Sequence, residues 1–332
     1  MSMRALAVVL SLVSLAACGR DRPSTPTDTG GVPDAGDAAS GLDTAGSDAT
    51  SDPSDAQSID ADDAPDVRGE DVEPLGGDRP VKVYKPSDYD PSQKYPVVIL
   101  LHGFGATGTL QNAYFRLSTL VDERQFILVI PEGTTNPSGQ QFWNATGACC
   151  DFTNTGVDDS AYLDGLIADL PAHYAVDTHR IYFMGHSNGG YMSYRMACDH
   201  GDEIAAIFSL AGSSFADPSD CAFAGQVSVL QAHGTLDASV AYDGIPGAYP
   251  GAEELVARWA ERDGCDATPV DDGAMDLDNT LSGDETKVKT YQNCENQTSV
   301  ELWTIEGAGH IPAIDETFAE RALDFLLAQS RP

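Results

Sequence analysis

Basic residues are scarce in this chain. Over 332 residues, 18 Lys and Arg stand against 52 Asp and Glu, for a formal net charge of −34. Such a chain repels phosphate, so nucleic acid is excluded as a partner. Long apolar runs are missing too. The run Ala5–Ala17 falls short of the roughly 20 residues a helix needs to cross a bilayer. Large aliphatic side chains are almost absent from residues 20–80, where Val32, Leu42, Ile59, Val67, Val72 and Leu75 are scattered among 16 acidic residues and four arginines. A segment this poor in apolar area cannot offset its own ordering entropy, and its like charges extend it. No internal repeat is apparent.

What is present divides the chain into three parts. Residues 1–18, "MSMRALAVVLSLVSLAAC", carry one arginine, a short apolar run and then a cysteine, the pattern of an export signal. Their end, "LAAC", resembles the lipobox of bacterial lipoproteins, which implies cleavage before Cys18 and lipidation of that cysteine. Residues 19–78 read as a disordered acidic tether, and residues 79–332 as one large α/β domain. Short continuous apolar runs mark buried strands at 97–101, 126–130, 181–184, 206–210, 227–230 and 300–305, and the alternating "VKVYKP" (81–86) reads as an edge strand. Helical patterns lie between them at about 109–124, 158–174, 188–199, 252–263 and 315–329. This alternation predicts a doubly wound, mainly parallel sheet with helices on both faces. The stretches 134–157, 238–251 and 264–298 are irregular and long enough to be functional loops.

At the junction of a strand and a helix stands "GHSNG" (185–189), a G-x-S-x-G spacing. Small neighbours let the chain turn sharply there, so that the Ser187 hydroxyl projects at the carboxyl end of the sheet. In a strand–turn–helix setting, an acid and then a histidine later in the chain are the context that would confirm such a serine as a nucleophile. The histidines after Ser187 are His200, His233 and His310. His200 ends the helix that Ser187 begins, and His233 ends a strand. If the acid comes from that strand, only His310 follows it. The acid is Asp237, with Asp243, six residues on, as its competitor; the shorter reach of Asp237 from the strand favours it. After the first core strand, "LLHGFGATG" (100–108) brings backbone close to a substrate, so the backbone N–H groups of Phe104 and Asn188 are the expected oxyanion donors.

Beyond this spacing, the chain resembles an α/β-hydrolase, and more narrowly the polyhydroxybutyrate depolymerase and feruloyl esterase group of secreted esterases. The likeness covers about 81–329 and rests on "YPVVILLHGFGATG", "CC" followed by "GVDDSAYLDGLIADL", "VDTHRIYFMGHSNGGYMSYRMAC", "AHGTLDASVAYDG" and "ELWTIEGAGH". The resemblance implies a serine carboxylic-ester hydrolase with Ser187, Asp237 and His310 as its triad, acting on hydroxyalkanoate esters, or alternatively on feruloyl or acetyl esters of plant polysaccharide. It implies no metal or organic cofactor. Where members often carry an aromatic soon after the histidine, this chain has "GHIPAID". Apart from Cys18 there are six cysteines, an even count that suits disulfides in an exported protein. The resemblance and the strand order suggest the pairs Cys198–Cys221, Cys265–Cys294 and Cys149–Cys150.

Phe142 and Trp143, within "GQQFWNATGACCDF" (139–152), are candidates for contact with substrate, with Tyr191 and Tyr242 behind them. The acidic stretch "DLDNTLSGDE" (276–285) has carboxylates spaced like an EF-hand, but Leu281 stands where that loop needs glycine, so no metal site is expected. The chain is thus expected to be an exported monomer, held by its lipid at a bacterial cell envelope or surface, or released. Two rivals remain: a serine peptidase using the same three residues, and a non-catalytic surface lipoprotein that binds a polymer or glycan.

Overall fold

The central strands are mostly apolar on both faces because each face meets its own layer of helices. The structure is a computed structural model, which describes residues 70–72, 75–79, 81–221 and 225–332. The expected signal segment, Cys18 and nearly all of the tether lie outside the described residues.

Among the described residues the main sheet has ten strands. They are β1 (Glu70–Val72), β2 (Val81–Tyr84), β3 (Tyr95–Leu101), β4 (Ile127–Ile130), β5 (Val176–His186), β6 (Ala206–Leu210), β7 (Ser228–Gly234), β8 (Val270–Met275), β9 (Thr286–Tyr291) and β10 (Val300–Ile305). Their spatial order is β1-β2-β4-β3-β5-β6-β7-β10-β9-β8. The six from β4 to β10 run parallel, and antiparallel strands extend the sheet at both sides. The helices are α1 (Gly108–Phe115), a single-turn α2 (Val121–Arg124), α3 (Asp159–His173), α4 (Asn188–Asp199), α5 (Ala252–Arg262) and α6 (Phe318–Leu327).

Strand alternation divides the core in two. Val97, Ile99 and Leu101 of β3 join Ile181 and Phe183 of β5 in one cluster, with residues of α3, α4 and α5. Val98 and Leu100 join Tyr182 and Met184 in the other, with residues of α1 and α6. The sheet is therefore wound on both faces, and its parallel strands deliver their carboxyl ends to one rim.

Four expectations need correction. The ordered body begins before residue 79: β1 pairs with β2, Leu75 is buried, and Arg79 binds Asp159 Oδ1 at 2.7 Å while its guanidinium lies over the Tyr162 ring. For the same reason "VKVYKP" is not at the edge; β1 covers it. The helix expected over 109–124 breaks at Arg116, whose φ of 57° ends α1 in a left-handed turn. The stretch 264–298 is not simply a loop, because β8 and β9 form an antiparallel pair that extends the sheet.

Candidate active site

Ser187 follows β5 directly and caps α4 with φ 54° and ψ −118°, a backbone conformation that non-glycine residues rarely adopt. Its own N–H donates to the Leu210 carbonyl at the end of β6 (2.8 Å), which fixes the turn. Glycines are required around it: a Cβ on Gly185 would run into the Gly189 carbonyl, and one on Gly189 into the Leu101 carbonyl. The strained turn persists because strand, helix and the loop after β3 all close on it.

The three side chains expected to cooperate form one hydrogen-bonded chain. His310 Nε2 lies 2.8 Å from Ser187 Oγ, and its Nδ1 lies 2.8 Å from Asp237 Oδ2. With the imidazole proton on Nδ1, that N–H donates to Asp237 and the serine hydroxyl donates to Nε2. Asp237 stands three residues beyond β7, and its Oδ1 accepts the backbone N–H groups of Ser239 and Val240, both at 2.8 Å. Burial alone would push its carboxyl up, but hydrogen bonds from His233 and His310 outweigh burial and hold it well below the usual carboxylate range. Asp243 is exposed beside a short hairpin, and Asp237 alone of the two meets His310.

The loop after β3 is held by a buried histidine. His102 Nδ1–H donates to the Gly103 carbonyl (2.8 Å), and its Nε2 accepts the Gly133 N–H (2.9 Å). Burial lowers the His102 pKa to about 4, so the ring stays neutral and can hold both bonds. With the Gly103 carbonyl fixed, the Phe104 N–H on the same trans peptide points the opposite way. This loop touches the serine, since a Cβ built on Gly103 would lie 3.6 Å from Ser187 Cβ. Asn188 opens α4, where the first N–H groups of a helix have no intrahelical acceptor. Its side chain is locked, accepting the Trp143 N–H (2.8 Å) and donating to the Trp143 carbonyl (2.8 Å) and Cys149 Sγ (3.4 Å).

Supports for the histidine loop escaped the sequence reading. His186 Nε2–H donates to the His310 carbonyl (2.9 Å), and Tyr114 donates to the Pro312 carbonyl (2.7 Å). Burial lowers the His186 pKa to about 4. Asp278 Oδ2 accepts the Ala313 N–H (3.0 Å), so the acidic insert braces this loop. Among the described residues no group of three or more His, Cys, Asp or Glu is placed to hold a metal ion.

Three of the four expected substrate contacts, Phe142, Trp143 and Tyr191, are corrected by their burial, while Tyr242 is half-buried. Phe142 and Trp143 are both 0% exposed, and the Trp143 indole N–H donates to the His102 carbonyl at 3.0 Å. Tyr191 is buried edge-on against Tyr249, and the Tyr242 hydroxyl bonds Thr304 Oγ1 (2.8 Å). These rings anchor the loops to the core. The exposed apolar surface comes instead from residues beside the site. Phe152 is 65% exposed and packs on Phe104 with ring centroids 5.3 Å apart. Leu236 (69%) adjoins Asp237, and Ile311 (64%) adjoins His310. Proximity in sequence to Asp237 and His310 was the available signal for Leu236 and Ile311; Phe152 had no such signal. Disulfides join Cys149 to Cys150, Cys198 to Cys221 and Cys265 to Cys294. The first lies against Asn188, the second ties the end of α4 to the β6–β7 connection, and the third closes the segment containing β8 and β9.

A family model described as "Putative esterase" matches residues 73–311. The chain is 29% identical over 244 residues to feruloyl esterase B of Piromyces equi, which covers 70% of this chain and 42% of that protein. It is 27% identical over 244 residues to poly(3-hydroxyalkanoate) depolymerase C of Paucimonas lemoignei, covering 66% of this chain and 56% of that protein. The chain therefore spans about half the length of these relatives. Among solved structures, an acetyl xylan esterase from Aspergillus awamori superposes with a TM-score of 0.58 at 16% identity, over 78% of this chain and 98% of that one; the likeness is one of fold.

Proposed function

Because the chain belongs to the esterase family of α/β-hydrolase fold, we propose that it hydrolyses carboxylic esters by acyl transfer through Ser187, His310 and Asp237. The observation that carries this reading is the continuous chain of 2.8 Å hydrogen bonds from serine to histidine to aspartate. Ser187 Oγ attacks the ester carbonyl carbon while His310 Nε2 takes its proton. Asp237 holds the imidazole by Nδ1–H and stabilises the imidazolium that forms. The carbonyl oxygen becomes an oxyanion between the N–H groups of Phe104 and Asn188, each worth about 10²–10³ in rate. The carbon–oxygen bond to the alcohol breaks as His310 Nε2–H protonates the leaving oxygen. Water then gives its proton to Nε2 and attacks the acyl-serine, releasing the acid and restoring Ser187.

The Phe104–Phe152 pair favours a flat aromatic acyl group. Phe104 supplies both an oxyanion amide and a ring, so an acyl group at the amide lies within a side chain's length of the pair. Hydroxycinnamoyl esters on plant polysaccharide are the reading this supports. Hydroxyalkanoate oligomers are the second reading, supported by the exposed Leu236 and Ile311. Residues 1–18 act as a lipoprotein signal with Cys18 as the anchor, and the acidic segment after it tethers a monomeric hydrolase at the cell envelope or surface. A fluorophosphonate probe should label Ser187, and S187A should lose most turnover while staying folded. Methyl ferulate, a 3-hydroxybutyrate oligomer, p-nitrophenyl acetate and a matched amide, assayed together, rank the substrates. Wild-type ester hydrolysis by S187A defeats the mechanism, and preference for the amide makes the protein a peptidase.

A further inference from the structure

The carboxylate that orients His310 is itself held by a buried polar chain. β7 reads Ser-Val-Leu-Gln-Ala-His-Gly, and Gln231 and His233 point to the same face as Val229. Both are buried in a strand whose neighbours are apolar, where a polar group costs free energy unless it is bonded. Neither the parallel sheet nor the packing against α4 requires them to be polar.

Their hydrogen bonds define where each proton sits. The Gly212 carbonyl can only accept, so the Gln231 atom 3.0 Å from it is the amide nitrogen. Gln231 Oε1 then accepts from the buried Tyr194 hydroxyl (3.1 Å). The second amide N–H points at His233 Nδ1 (3.0 Å), which must therefore be the acceptor. The ring proton of His233 is left on Nε2, which lies 2.8 Å from the Val240 carbonyl and 3.2 Å from Asp237 Oδ2. Oδ2 is the same oxygen that accepts from His310. The Tyr242 ring packs edge-on against His233 and closes that side.

We propose that His233 is a positioning residue for the ester-hydrolysis reaction: its Nε2–H, fixed in that tautomer by Gln231, holds Asp237 Oδ2 in place for His310. The inference rests on the reading of Ser187, His310 and Asp237 given above. A neutral donor suits this task, because it steadies the carboxylate without cancelling the charge that the imidazolium needs. Oδ1 is fixed by two backbone N–H groups. The one Nε2–H of His233, 2.8 Å from the Val240 carbonyl and 3.2 Å from Oδ2, is shared between those two acceptors and restrains the remaining rotation of the carboxylate.

The test compares two polar substitutions in the full-length protein. In H233N the side chain can still accept from Gln231 but is too short to reach Asp237. In H233Q the amide nitrogen reaches about as far as Nε2. H233N is expected to lose roughly 10- to 100-fold in kcat on p-nitrophenyl acetate, the rate equivalent of one hydrogen bond to a charged group, with KM within about twofold. H233Q should recover most of that loss. The downfield proton resonance of His310 Nδ1–H should shift in H233N and return toward its wild-type position in H233Q. Should H233N fail to fold, Q231L, which removes the donor that keeps the proton off Nδ1, carries the same test. Folded H233N with wild-type kcat, or equal loss in both variants with an unmoved resonance, overturns the proposal. S187A runs beside them: an active S187A defeats the reading of the site, whereas an inactive S187A with an unimpaired H233N defeats only the role of His233.

Discussion

Replacing Asp237 with asparagine changes one atom in the site, and the structure determines which one. Oδ1 accepts two backbone N–H groups at 2.8 Å, from Ser239 and Val240. The asparagine oxygen must occupy that place, because an amide nitrogen there would face two donors. The amide nitrogen then falls where Oδ2 was, opposite His310 Nδ1 and His233 Nε2. His233 cannot give way, since Gln231 keeps its proton on Nε2. His310 can, by moving its own proton from Nδ1 to Nε2. That relieves the clash of donors but turns an N–H toward Ser187 Oγ, and the imidazole can no longer take the serine proton. The expected loss in kcat is about 10⁴-fold, close to 5.4 kcal/mol of transition-state stabilisation. KM for p-nitrophenyl acetate should stay within about threefold, because no group in contact with the substrate has changed. The melting temperature should move little, since three of the four hydrogen-bonding positions around the side chain remain usable. Labelling of Ser187 by a fluorophosphonate should slow in parallel with kcat. A D237N protein that keeps more than about a tenth of wild-type kcat refutes the assigned tautomer and the role of the acid.

Three other outcomes are expected. F152A removes the exposed half of the ring pair and should raise KM for methyl ferulate about tenfold, with p-nitrophenyl acetate kcat/KM within about twofold; equal effects on both substrates would remove the aromatic subsite. D278A frees the Ala313 N–H and the Thr280 turn, and should cost about 1–2 kcal/mol in denaturant unfolding together with a several-fold drop in kcat. Asp263 is buried at the end of α5, and burial pushes its carboxyl up to about 7, with Thr298 and Val227 offsetting only part of that shift. Its folded pKa lies above its unfolded one, so the native state binds the extra proton and stability falls as pH rises from about 4 to 7. D263N should therefore stabilise the fold at pH 8 by on the order of 3 kcal/mol and have little effect near pH 4, measured by urea unfolding at both values.

Much of this architecture was legible because its signals are local. A continuous apolar run such as "AIFSL" can serve only a strand covered on both faces, and it became β6 without change of limits. The spacing around Ser187 carries its own steric reason, and the order of acid and histidine followed from strand placement. The failures share a different cause. "TKVKTY" has the alternation of a half-buried strand, but an acidic turn hides its pairing with β8, whose residues are almost all exposed. Phe142 and Trp143 look like exposed loop aromatics because sequence does not show which way a loop turns. Folding carried them inward, behind the loop that His102 holds, and left Phe152 outside. In sequence His233 is only a strand-end histidine, and its link to Asp237 depends on two residues from other elements, Tyr194 and Gly212.

The three site residues differ in how far each stands from the sheet, and the kind of support differs with that distance. Ser187 follows β5 with no intervening residue, and the turn with its glycines is enough to hold it. Asp237 lies three residues past β7, and two backbone N–H groups with the His233 ring fix its carboxylate. His310 lies five residues past β10, on a loop that must bring its imidazole within reach of both serine and aspartate. It is braced by the His186 ring, the Tyr114 hydroxyl and the Asp278 carboxylate, which grip carbonyls and an N–H of its loop rather than its imidazole. Support through the backbone leaves both ring nitrogens free for Ser187 and Asp237. The acidic insert therefore has a mechanical role that its charge alone does not suggest: one of its carboxylates holds in place the loop that carries His310.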